Sequence, residues 1–169
     1  MTPARRRAFR VLLVVAAIAA LIAGLLGHSS IAGRRPAPSL PTALESGTRV
    51  TLAQLRGHAA AVIFWASWCT DCHAEAAAVE RFARSPAGRG HLIGIDYSDG
   101  GPWRTFLHTY GWSFPVFSDP NGTTLDTYGV SVGLPATVVL DSRGQIVQTS
   151  HAIQTVALLR TELAQAASS

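Results

Sequence analysis

No lysine occurs in this sequence; all fourteen basic side chains are arginine. Six of them, Arg5, Arg6, Arg7, Arg10, Arg34 and Arg35, precede Pro36, and beyond it eight arginines face all ten acids. The formal net charge of +4 therefore belongs to the N-terminus. Nucleic-acid binding needs a basic patch on the folded part, and it finds no support here. No Gly-rich nucleotide loop is present, so nothing supplies NADPH or flavin binding. Met1 is the only methionine, and Cys69 and Cys72 are the only cysteines. No cysteine follows the N-terminal apolar run, which excludes a lipid-modified N-terminal Cys. No Pro-x-x-x-Thr-x-x-Cys element surrounds either cysteine, which argues against a peroxidase. A lone disulfide in so short a loop does little to staple a fold. There are no internal repeats.

Charge is also missing from Val11 to Gly27. As a helix this run spans roughly 25 Å, near the lower limit for crossing a bilayer. Basic residues stand before it, so the positive cluster stays cytoplasmic and the remainder is exported. The expected organisation is a cytoplasmic basic N-terminus over 1–10 and a signal-anchor or transmembrane helix over 11–32. A Pro-rich linker follows over 33–41, then an extracytoplasmic domain over 42–169. "GRRPAPSLP" reads as an extended spacer that lifts the domain off the membrane. A cleaved signal peptide is the alternative, with Ser30-Ile31-Ala32 as a small-x-small cleavage site and a secreted product.

The rest reads as alternating strands and helices. "GTRVTLAQLRG" alternates loosely and predicts a short strand and a turn. "AAAVIFWA" is a continuous apolar run, which suits a strand buried on both faces. A helix should follow from Cys69, because Cys72, Ala76, Val79 and Ala83 form one apolar face. Glu80 and Arg84 make an i,i+4 pair. "HLIGID" predicts a second buried strand. "GPWRTFLHTYG" predicts a helix with Pro102 in its first turn and Gly111 as its C-terminal cap. "FPVFSDPNG" reads as a short strand and turn, and "TTLDTYGV" as a brief helix. "ATVVLDSRGQIVQT" reads as a hairpin. A final helix over about 153–166 turns Val156, Leu159 and Leu163 inward. The order β, α, β, α, hairpin, α implies an α/β domain with a central mixed sheet and helices on both faces.

"FWASWCTDCHAE" carries the chemistry. As C-x-x-C it is a redox dithiol; as C-x-x-C-H it is a haem-attachment site. Haem commonly needs a second axial ligand, and the only methionine is Met1, across the membrane. The motif also sits where a buried strand runs into a helix. A cysteine at a helix N-terminus meets the positive end of the dipole and unpaired N–H groups, which favour thiolate. Cys69 is placed for that role, Cys72 can close a disulfide one turn on, and Trp68 can shield the sulfur. Asp71 and Glu75 put negative charge near the pair and disfavour thiolate; a protonated His73 would oppose them. The balance leans toward a reductant. The rivals are a disulfide oxidase or isomerase, and a copper-tolerance module binding metal through Cys69, Cys72 and His73.

"VIFWASWCTDCHAE", with "GLPATVVLD" downstream, resembles the TlpA/ResA-like family of membrane-anchored thiol–disulfide oxidoreductases. The likeness covers about residues 39–165. It implies a thioredoxin fold and a redox-active Cys69–Cys72 disulfide with no other cofactor. It implies a cis-proline loop at Gly133-Leu134-Pro135, whose backbone receives the client chain, so that Leu134 and Pro135 bind substrate with Trp68. It places an active-site glutamate at Glu75, able to pass protons to the cysteines. The implied partners are disulfide-bearing exported proteins, including apocytochromes c, and a membrane electron donor. Three features depart from the family: Thr70-Asp71 lies between the cysteines without Pro, Ala77 replaces a helix-kinking Pro, and "YGVSVGLP" is one residue longer.

Overall fold

The computed structural model describes residues 33–131 and 133–169. The expected cytoplasmic segment and transmembrane helix lie outside these residues. Among the described residues no helix is long and apolar enough to cross a membrane.

Two short strands, β1 (Arg35–Pro36) and β2 (Ala43–Ser46), lead into the one-turn helix α1 (Leu52–Leu55). Next come β3 (Ala60–Trp65), α2 (Thr70–Ala83), β4 (Leu92–Tyr97), α3 (Trp103–Tyr110), β5 (Val116–Asp119) and α4 (Thr123–Thr127). The hairpin β6 (Ala136–Leu140) and β7 (Gln145–Ser150) precedes α5 (Val156–Ala167). The described strands form one sheet in the order β1-β7-β6-β3-β4-β5-β2. β3, β4 and β5 run parallel, and every other pairing is antiparallel. Helix-joined β3 and β4 pair as their order predicts.

All six residues of β3 are buried, because both faces of the sheet are covered. Strand side chains alternate between faces. Ala61, Ile63 and Trp65 accordingly enter one core with Cys72, Ala76 and Val79 of α2, Phe106 of α3, and Leu159 and Leu163 of α5. Val62 and Phe64 enter the other with Ile95, Leu125, Tyr128 and Val138, and Leu52 of α1 packs against it. Gly111 ends α3 at φ 64°, the left-handed cap expected of it.

Two expectations need correction. The strand expected in "GTRVTLAQLRG" is helix α1, started by a capping box in which Thr51 and Gln54 bond each other's backbone N–H. The Pro-rich stretch is no free spacer. Arg35 and Pro36 pair with Ile146 and Gln145, Ala37 N donates to Gly144 O at 3.0 Å, and Tyr128 Oη donates to Pro38 O at 2.8 Å. Residues 35–38 of the expected linker are therefore joined to the described sheet.

Candidate redox site

β3 ends at Trp65, and the chain turns through Ala66, Ser67 and Trp68 before α2 begins. Cys69 is the N-cap of α2, and its Sγ accepts the backbone N–H of Cys72 at 3.1 Å. Cys69 and Cys72 form a disulfide with Cα atoms 5.2 Å apart. Cys69 is 6% exposed and Cys72 1%, so an incoming sulfur meets Cys69 first. Trp68 stands beside it, exposed, while Trp65 is buried against Phe106.

β6 runs antiparallel to β3 with Ala136 opposite Phe64. That register brings the loop before β6 to the sheet end where β3 turns toward Cys69. Leu134-Pro135 is in this loop, and its peptide bond is cis. Leu134 is half-buried between the two cores. The fold thus collects Trp68, Cys69, Cys72, Leu134 and Pro135 at one end of the sheet.

Glu75 lies one turn beyond Cys72 and is 1% exposed, so it is no solvated surface acid. Its Oε2 accepts the backbone N–H of Gln154 at 2.8 Å. Burial pushes its carboxyl up to about 7; the charges of Asp71 and Glu162 add to the rise, and the Gln154 N–H opposes it. Near neutral pH Glu75 can therefore hold or release a proton.

Two contacts grip Ser67. Asp99 Oδ2 accepts the Ser67 N–H at 2.5 Å, and Asp99 Oδ1 accepts the Gly101 N–H at 2.7 Å. His73 Nε2 lies 2.8 Å from Ser67 O. A carbonyl only accepts, so Nε2 carries the proton. His73 Nδ1 then accepts from Tyr110 Oη at 2.9 Å, and its ring lies 4.8 Å from that of Phe106. Behind this segment, burial and the charges of Glu45 and Asp99 push Asp96 up to about 9. Asp96 Oδ1 and Glu45 Oε2 are buried without partners when both acids are ionised; a proton kept on Asp96 supplies the missing donor.

The residues themselves placed the cysteines and Trp68 and put the charge of Glu75 near them, and the family resemblance supplied the proline loop and the proton-passing role of Glu75. Both missed the Asp99 latch, the double bond of His73, and the contact of Glu75 with Gln154. Asp96 did leave a trace, as an acid inside a buried strand. Glu162 left another, on the inward face of α5 between Leu159 and Leu163. Among the described residues no group of three or more His, Cys, Asp or Glu is arranged to hold a metal ion.

A family model described as the AhpC/TSA family matches residues 34–149. Thiol-disulfide oxidoreductase ResA of Bacillus subtilis is 26% identical over 135 residues, 79% of this chain and 75% of its own. Thiol:disulfide interchange protein DsbE of Pseudomonas aeruginosa is 35% identical over 117 residues, 66% and 61% of the two chains. A solved structure of a secreted thiol-disulfide isomerase from Corynebacterium glutamicum superposes with a TM-score of 0.69 at 19% identity, covering 80% of this chain and 87% of its own. That last likeness speaks for the fold.

Proposed function

The chain belongs to the AhpC/TSA family, as a TlpA/ResA-like thiol–disulfide oxidoreductase of thioredoxin fold, and from that premise we propose that it reduces disulfides of exported proteins at the outer face of the cell membrane. The observation that carries the reading is the Cys69–Cys72 disulfide at the N-terminus of α2, with Cys69 the more exposed sulfur.

In the reduced enzyme the Cys69 thiolate attacks a client disulfide. A Cys69–client bond forms, and the client's other sulfur leaves as a thiolate that takes a proton from water. Cys72 then passes its proton to the Glu75 carboxylate and attacks Cys69 Sγ. The Cys69–Cys72 bond forms, the Cys69–client bond breaks, and the second client sulfur leaves and is protonated. The client gains two electrons and the enzyme loses two. A dithiol donor, in this reading a membrane protein passing electrons outward, restores the enzyme. Leu134 and Pro135 present the backbone against which an extended client strand pairs, and Trp68 offers it an apolar face. Apocytochromes c are the client class the family resemblance suggests. The N-terminal apolar run would hold the domain at the membrane.

Asp71 supports the reducing direction, since negative charge near the pair disfavours thiolate, and Glu75 adds to it only once its raised carboxyl ionises. One observation favours the oxidising alternative: the Cys72 N–H donates to Cys69 Sγ, and that bond stabilises a thiolate. The redox potential decides between them. A value near thioredoxin's, about −270 mV, supports the reductase; one near about −120 mV transfers the protein to the oxidases. A Cys72→Ala variant should accumulate clients as mixed disulfides through Cys69, identified by mass spectrometry. Capture of no exported protein would remove the client assignment.

A further inference from the structure

A second buried carboxyl lies behind the redox site. Glu162 of α5 is 3% exposed. Its Oε1 accepts from Gln148 Nε2 at 2.9 Å, and its Oε2 from Gln154 Nε2 at 3.3 Å. The same Gln154 gives its backbone N–H to Glu75. One residue thus touches both acids, from a loop 79 positions away from Glu75 in the chain. Gln154 is itself buried, and its Oε1 has no partner among the described residues. The residue that bonds both acids therefore carries a buried acceptor with no donor of its own.

Glu162 also reaches the surface where Glu75 does not. It lines an opening of about 270 Å³ together with Arg34, Val147, Gln148, Gln165 and Ser169. The charged groups acting on Glu75 are Asp71 on its own helix and Glu162 across from it. Glu162 faces Gln148 from β7 and Gln154 from the loop before α5, and Arg34 shares its opening.

We propose that Glu162 is a positioning residue for the redox site, acting through Gln154 on Glu75, so that the two acids share one proton through the exchange cycle. This rests on the role given to Glu75 above. When Cys72 hands its proton to Glu75, a charged Glu162 holds that proton in place. When Glu162 takes a proton from water at its opening, Glu75 gives its own back to the Cys72 thiolate formed as the donor dithiol reopens the disulfide, and is ready to accept the next one. No electron moves in this step; the proton that leaves Cys72 for Glu75 returns to Cys72, and the one Glu162 takes from solvent goes back to solvent when Glu75 is next protonated. The raised carboxyls of both residues, each caused first by burial, agree with the arrangement.

The test follows the Glu75 carboxyl in the full chain by its ¹³C signal, assigned by its loss in Glu75→Gln, beside the pH profile of disulfide exchange. In Glu162→Gln the Glu75 midpoint should fall by about one pH unit, the effect of removing a nearby charge at an interior dielectric. The rate profile should shift the same way, and Glu162→Asp should restore both. An unmoved Glu75 midpoint overturns the role of Glu162 and leaves Glu75 standing. A moved midpoint with an unmoved rate profile overturns the role of Glu75, and with it the link of Glu162 to the reaction. The unaltered chain gives a second test, for which Glu75→Gln serves only to assign the signal. Its Glu75 signal should titrate in two phases, the second at the Glu162 midpoint; a single-site curve overturns the proposal.

Discussion

His73 is exposed, yet both of its ring nitrogens are engaged. It ties the Ser67 carbonyl on one side to the Tyr110 hydroxyl on the other. Asp99 holds the N–H of the same serine. Ser67 stands two residues before Cys69, so these bonds fix the segment that aims the reactive sulfur. His73→Ala should cost about 1–2 kcal/mol, the net worth of two hydrogen bonds. It should also slow exchange with a small disulfide, because the Ser67 carbonyl is released. His73→Gln, which can still donate to Ser67, should recover part of both. An unchanged denaturation midpoint and rate in His73→Ala would show that the segment is held without it. Nothing in the sequence near His73 announced this. Cys-x-x-Cys-His suggested haem or metal, and only the approach of Tyr110, 37 positions on, reveals the strut.

At the scale of elements, helix α3 is set by its ends as well as its apolar face. Phe106 and Leu107 are buried, and Gly111 stops the helix in a left-handed conformation. A side chain there is strained by about 1 kcal/mol. Gly111→Ala should lower stability by that amount, and Gly111→Asn by less, since Asn tolerates this region; equal losses would show that the conformation is not the cause. The Gly111 carbonyl also accepts from Arg84 Nη2 at 3.1 Å, which links the ends of α2 and α3. Most elements were legible because their periods are local: two in β3, and about 3.6 in α2 and α5. The failure at α1 was a misweighed signal. Thr51 and Gln54 spell a capping box, but the alternation around them resembled a strand of period two.

Over the whole molecule, buried acids set how stability responds to pH. Glu75 keeps its proton to about 7 in the folded state, against 4.5 for an ordinary glutamate. Between those values the folded chain binds more protons than the unfolded one, so stability falls as pH rises through the window. The size is about 3 kcal/mol once Glu75 is fully ionised. Asp96, raised to about 9, extends the decline to higher pH. The disulfide-bonded chain should therefore resist denaturant best near about pH 4 and lose ground steadily toward pH 9. Glu75→Gln should make the decline between pH 5 and 7 shallower, with the Asp96 contribution remaining, and be the more stable protein at pH 8. A profile that is level or rising over that span, or a variant no different from the parent, would contradict this account.

The amino-acid sequence alone determined where the dithiol sits and which runs are strands buried on both faces, while the proline loop facing the cysteines was implied by the family resemblance. The first two are written in adjacent residues: an apolar run and a helix start at Cys69. Tertiary structure decided the protonation of Glu75 and Asp96, the grip on Ser67, and the docking of the Pro-rich stretch as β1. Each depends on partners far apart in the chain: Gln154 for Glu75, Asp99 for Ser67, Ile146 for Arg35. Burial and hydrogen-bond partners are properties of the packed chain, and a local spacing of two or 3.6 residues carries no record of them.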